Sequence, residues 1–112
     1  MKDTLAVLNR LAASGVIGDY AVGGAVGATF YLEPLATVDL DIFVIFENAP
    51  LILTLTPIYD WLSQQGFQPA GDAVRIHGWP VQFLPASGPL LEEAVRRARV
   101  TDLGQGVYLP AL

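Results

Sequence analysis

Val38-Asp39-Leu40-Asp41-Ile42-Phe43-Val44-Ile45-Phe46 carries the strongest strand signal in the chain. Its last five residues are all β-branched or aromatic, and Asn48-Ala49-Pro50 breaks the run. Upstream, Tyr20-Ala21-Val22 is a short apolar run that Gly23-Gly24 ends. Ala25 to Tyr31 is small and apolar, suits a buried helix, and is closed by Pro34. Residues 25–38 therefore leave room for one helix and a turn between two strands. A glycine pair and an Asp-x-Asp can then meet at the ends of adjacent strands.

The flanking sequence fills in the rest. Leu5, Leu8 and Leu11 with Ala12 repeat at helical spacing, so residues 3–14 read as an amphipathic helix stopped by Ser14-Gly15. Thr56-Pro57 reads as an N-cap followed by proline at the first helical position, opening a helix over 57–65 that Gly66 ends. Residues 73–84 read as a hairpin with Gly78-Trp79 as its two-residue turn. That register pairs Ile76 with Val81, Arg75 with Gln82 and His77 with Pro80. It puts Val74, Ile76, Val81 and Phe83 on an apolar face and Arg75, His77 and Gln82 on the other. Ser87 caps a helix over about 89–99, with Glu92–Arg96 and Glu93–Arg97 four apart in the favourable orientation. The tail from Thr101 is apolar without a clear period. The order helix, strand, helix, strand, helix, hairpin, helix predicts an α/β (α+β) fold, a small mixed β-sheet with helices packed on it.

Composition bounds the function. The 112 residues hold one domain, 1–112. With 53% hydrophobic and 15% charged residues, against about 25% charged in a typical domain, the chain is not disordered. Its mean hydropathy of +0.46 implies that some apolar surface meets a protein partner, a second copy or a missing segment. Six basic and eleven acidic residues give a net charge of −5, which argues against gripping nucleic acid by charge. No cysteine excludes disulfides and thiolate chemistry, and a single histidine, His77, excludes a His-rich metal site. Met1-Lys2-Asp3 leads into a helix rather than an apolar leader, and the longest apolar runs are too short for a bilayer, so the expected location is cytoplasmic without a membrane partner.

Asp39 and Asp41 are the sharpest chemical feature. Two apart on a strand, they share a side, and two carboxylates there repel unless solvent or a divalent cation meets them. Carboxylate oxygens suit Mg²⁺, which completes its shell with water and substrate phosphates. If the strand instead starts at Ile42, both are solvated loop residues. Gly23 and Gly24 would let bare backbone approach a phosphate before a helix N-terminus; equally, they would serve a tight turn with no ligand. His77 reads as a surface residue, Arg96, Arg97 and Arg99 as a solvated helix face, and Trp61 and Trp79 as packing residues.

Taken together, Tyr20-Ala21-Val22-Gly23-Gly24, Ala25-Val26-Gly27-Ala28, Tyr31, Pro34 and Thr37-Val38-Asp39-Leu40-Asp41-Ile42-Phe43-Val44 resemble the nucleotidyltransferase superfamily, the polymerase-β-like fold. The nearest branch is the small bacterial members related to abortive-infection and toxin–antitoxin nucleotidyltransferases. The resemblance is best over 17–46 and extends to about 100. It implies a nucleoside triphosphate held by Gly23 and Gly24. It further implies two Mg²⁺ ions on three carboxylates that activate an acceptor hydroxyl and stabilise the leaving pyrophosphate. Asp39 and Asp41 match the first two metal ligands. The third position falls on Gln82, a neutral and poor Mg²⁺ ligand, and Leu35 stands where the small branch often has arginine. Arg75, opposite Gln82 in the expected register, is the candidate phosphate contact; a solvated hairpin arginine is the alternative.

Two functions follow from the resemblance. One is Mg²⁺-dependent transfer of a nucleotidyl group to an RNA, protein or small-molecule hydroxyl, with nucleic acid entering only as acceptor. The other is a catalytically degenerate module acting through a protein partner or homodimer. A small structural domain with a solvated Asp-x-Asp is a third reading. Relatives of this kind usually continue with further helices, so the resemblance implies a minimal or C-terminally truncated member.

Overall fold

The computed structural model describes residues 2–23, 39–46 and 55–112. Its elements are α1 (Lys2–Ala13), β1 (Tyr20–Val22), β2 (Leu40–Val44), α2 (Thr56–Gln64), β3 (Pro69–Ala70), β4 (Ala73–Ile76), β5 (Trp79–Pro85), α3 (Pro89–Arg96), β6 (Arg99–Asp102) and β7 (Tyr108–Ala111). The seven strands form one mixed sheet in the order β3-β4-β5-β2-β1-β7-β6. β2–β5 and β1–β7 are parallel, and the other four pairs are antiparallel. The expected mixed sheet with packed helices is what forms. The helix expected over 25–31 lies outside the described residues.

The sheet has two apolar faces of unequal size. Leu5, Val7, Leu8 and Leu11 of α1 and Ile58 and Leu62 of α2 pack on Leu40, Ile42, Val44, Val81 and Phe83. On the other face, α3 sets Val95 against Ala21 and Ala86, with Phe43 and Leu91 half-buried beside them. Thr4 ties the first layer down: its hydroxyl donates to the Ile76 carbonyl at 2.9 Å in the interior.

Three local expectations are corrected. The hairpin turns on His77-Gly78, not Gly78-Trp79. His77 (φ 48°) and Gly78 (φ 86°) are both left-handed, the conformation that a two-residue turn matching strand twist requires. Histidine is one of the side chains that tolerates it. The gain is Trp79, which moves out of the turn and into the core at 3% exposure. The pairs become Val74↔Val81, Arg75↔Pro80 and Ile76↔Trp79. This register is displaced by two residues, so the apolar and polar faces stay as read. Next, neither expected N-cap side chain acts. α2 is capped at Leu55, with Thr56 already helical, and α3 at Gly88 (φ 88°), with no side-chain hydrogen bond at either. Finally, α3 ends at Arg96, so Arg99 belongs to β6 rather than to the helix face. The ion pairs Arg96–Glu92 (3.8 Å) and Arg97–Glu93 (3.0 Å) form as expected. Exposed i,i+4 pairs of this kind contribute about 0.3–0.5 kcal/mol each.

The tail forms structure that its sequence does not announce. β6 and β7 make an antiparallel hairpin that extends the sheet beyond β1. A side chain secures it. Asn9 accepts from the Tyr108 amide with Oδ1 (2.9 Å), and its Nδ2 donates to the Tyr108 carbonyl (3.0 Å) and to the Tyr20 hydroxyl (2.5 Å). The Asn9 amide thus takes the place of a strand partner for Tyr108. Successive residues of a strand aim their backbone groups to opposite edges. Leu112 N–H donates to the Val22 carbonyl at 3.0 Å, so Tyr108 and Pro110 also face β1. Pro110, which has no N–H, therefore removes a donor from the β1 edge only, and the β6–β7 ladder is spared.

Burial pushes the Tyr20 hydroxyl well above the ordinary tyrosine range, against the opposing effect of the Asn9 hydrogen bond. A group whose folded value is raised contributes stability in full below its unfolded value, near 10 for tyrosine, and loses it as pH climbs toward the folded one. In an alkaline titration followed by phenolate absorbance and circular dichroism, one of the four tyrosine steps is expected only with unfolding. Four reversible steps in a folded protein would contradict this.

Candidate functional site

β2 begins at Leu40, so Asp41 stands within the strand and Asp39 directly before it. This rejects the reading in which the strand starts at Ile42. Leu40, Ile42 and Val44 are buried in the α1/α2 layer, so Asp41 and Phe43 face the α3 side of the sheet. Asp39 is exposed and Asp41 half-buried.

The neighbouring strands bring in two more positions. Parallel β2–β5 pairing sets Asp41 directly beside Gln82, as the sequence reading requires, and Gln82 is half-buried on the same face. On the other flank, Gly23 follows β1 and its N–H donates to the Asp41 carbonyl at 2.9 Å. Gly23, Asp41 and Gln82 thus lie side by side on three adjacent strands. This bond occupies the Gly23 N–H. Gly24, the other half of the expected cradle, lies outside the described residues.

Gly23 has a packing role that the sequence reading missed. A Cβ there would sit 2.8 Å from Phe43 Cδ2 and closer still to Cε2. The ring lies across the bare backbone, and no side chain fits between them.

Arg75 is corrected. It lies opposite Pro80, not Gln82. Its Nη1 donates to the Gly78 carbonyl at 3.0 Å, turning the exposed guanidinium back over its own hairpin. His77 is exposed at the turn, and its ring meets Phe67 edge-on at 5.2 Å.

The donor set fits one divalent cation rather than two. One exposed and one half-buried carboxylate, two residues apart, suit at most a single Mg²⁺ that keeps waters and phosphates in its shell. Among the described residues no group of three or more His, Asp or Glu side chains converges to hold a metal. A cavity of about 660 Å³ lies elsewhere, between α1, the end of α3 and the β6–β7 hairpin, and none of these candidate residues lines it. Among the described residues no helix is long and apolar enough to cross a membrane.

No protein-family model, no curated protein and no solved structure matches this chain.

Proposed function

We propose that this chain is a nucleotidyltransferase-like domain that binds a nucleoside triphosphate through Mg²⁺ at Asp39 and Asp41. The observation that supports it is the side-by-side placement of Gly23, Asp41 and Gln82, joined by the Gly23 N–H bond to the Asp41 carbonyl and the Asp41↔Gln82 register. Gly23, Asp41 and Gln82 thereby stand at one level of three neighbouring central strands. A bound Mg²⁺ would offset triphosphate charge and stabilise the departing pyrophosphate. Asp39 and Asp41, at the start of β2, would hold it. In the transfer, the acceptor hydroxyl oxygen would bond to the α-phosphorus and lose its proton to solvent, the α–β bridging P–O bond would break, and pyrophosphate would leave.

A second reading keeps the nucleotide site without transfer, with the domain acting through a protein partner or a second copy. Gln82 favours it, since a neutral amide stands where a third carboxylate would complete a two-metal site. The exposed apolar side chains Val100, Tyr108 and Leu112 on the terminal hairpin favour it too.

Isothermal titration with ATP, GTP, CTP and UTP, with and without Mg²⁺, tests the binding that both readings need. At least one triphosphate is expected to bind only with Mg²⁺. Each of Asp39→Ala and Asp41→Ala should weaken binding about tenfold or more, as loss of a charged ligand contact does. No Mg²⁺-dependent binding to any triphosphate by the folded protein would overturn the proposal. Pyrophosphate release in the presence of acceptor separates transfer from binding alone.

A further inference from the structure

β1 and β7 are in register only at Val22↔Ala111. Toward Asp19, just before β1, and Tyr108, the first residue of β7, lies the 660 Å³ cavity, a size typical of small-molecule sites. Its walls are mostly small and apolar: Ala6 and Ala13 of α1, Val95 and Ala98 at the end of α3, and Val107 and Pro110 of the hairpin.

The polar groups of this cleft are not all matched. The Tyr108 peptide fixes the Asn9 amide, since Oδ1 must accept from its N–H and Nδ2 must donate to its carbonyl. The remaining Nδ2 hydrogen goes to the Tyr20 oxygen. Tyr20 is therefore an acceptor toward Asn9, and its own O–H hydrogen has no acceptor among the described residues. Tyr20 is 6% exposed, so this is a buried donor lining a cavity. A buried donor left unmatched is costly and is usually relieved by a partner. Arg10 and Arg96 also line the cleft. Arg10 has no ion pair among the described residues, and Arg96 meets Glu92 only at 3.8 Å. Asp19 is the carboxylate facing the same space.

We propose that this cleft is a binding site for a small organic anion: a carboxylate on a planar apolar body. One carboxylate oxygen accepts the Tyr20 hydroxyl hydrogen, Arg10 and Arg96 offset the charge, and the alanine- and valine-lined walls take the body. The site is separate from Asp39 and Asp41, and its occupancy does not depend on Mg²⁺ or a nucleotide.

The probes are indole-3-acetate, 3-methylindole (the same body without the carboxylate) and acetate (the carboxylate without the body). They are titrated into the full chain and followed by amide chemical shifts and calorimetry. Indole-3-acetate is expected to bind, shifting Ala13, Gly18, Val95 and Gly106, and the other two to bind at least about tenfold more weakly. Tyr20→Phe keeps the ring and removes the donor, and should weaken indole-3-acetate about tenfold or more. Ala13→Trp, at an exposed lining position, should block the cleft while leaving the core untouched. Three results would overturn the proposal: no shifts in the folded protein, equal affinity for 3-methylindole, or full affinity in a folded Tyr20→Phe.

Discussion

Gly23→Ala is expected to destabilise the fold by about 1–3 kcal/mol, the usual cost of forcing an extra carbon into a packed site. The source is the Phe43 ring, whose Cδ2 would lie 2.8 Å from the new Cβ. That ring cannot swing aside freely, because it packs against the Ala21, Ala86 and Val95 cluster beneath α3. Urea unfolding of Gly23→Ala, Phe43→Ala and the double variant measures the contact. The double variant should cost clearly less than the sum, with a coupling of about 0.5–3 kcal/mol, since truncating the ring makes room for the methyl group. Additive costs would show that Phe43 is not what requires a glycine. The same variant separates two roles for this position. The Gly23 N–H bonds to the Asp41 carbonyl, and alanine retains that N–H. Folded Gly23→Ala should therefore keep its Mg²⁺-dependent nucleotide affinity. A large loss of affinity at unchanged stability would assign Gly23 to the ligand instead.

What the sequence disclosed follows from the range of the forces involved. Leu5, Leu8 and Leu11 fix α1 through local periodicity, and Ile42-Phe43-Val44 marks β2 through β-branched and aromatic content. The hairpin faces were legible although its turn was not. A strand register displaced by two residues leaves every side chain on the same face. Such a shift still changes cross-strand neighbours, which is why Gln82 falls beside Asp41 as expected while Arg75 loses Gln82 and meets Pro80. The terminal hairpin left no signature. All four residues of β6 are exposed, so no alternation of burial is written there, and Pro110 in β7 reads as a breaker. What positions that hairpin is an asparagine 99 residues away in sequence, a contact that no local pattern encodes. The cleft beside it was invisible for the same reason.

Gln82→Asp is expected to tighten Mg²⁺ binding about tenfold to a hundredfold, because each added carboxylate ligand raises the affinity of an oxygen site for a divalent cation. Position 82 lies beside Asp41 on a parallel neighbour, on the same face and within side-chain reach. Without metal, the substitution sets like charges opposite one another across two strands, and that arrangement is destabilising. The two effects have opposite signs, so the variant should melt below the wild type in chelator and gain more than the wild type when Mg²⁺ is added. Gln82→Asn controls for the shorter side chain: it adds no charge, and its metal response should match that of the wild type. If Gln82→Asp responds to Mg²⁺ no more than Gln82→Asn does, positions 41 and 82 do not share an ion, and the reading of Gln82 as the vacant third-ligand position falls. If it does respond, pyrophosphate release by the variant decides what the glutamine means. Turnover that appears only with aspartate would mark the natural chain as a nucleotide-binding module held short of transfer by one neutral side chain. Turnover already present in the wild type would mean that Asp39 and Asp41 suffice.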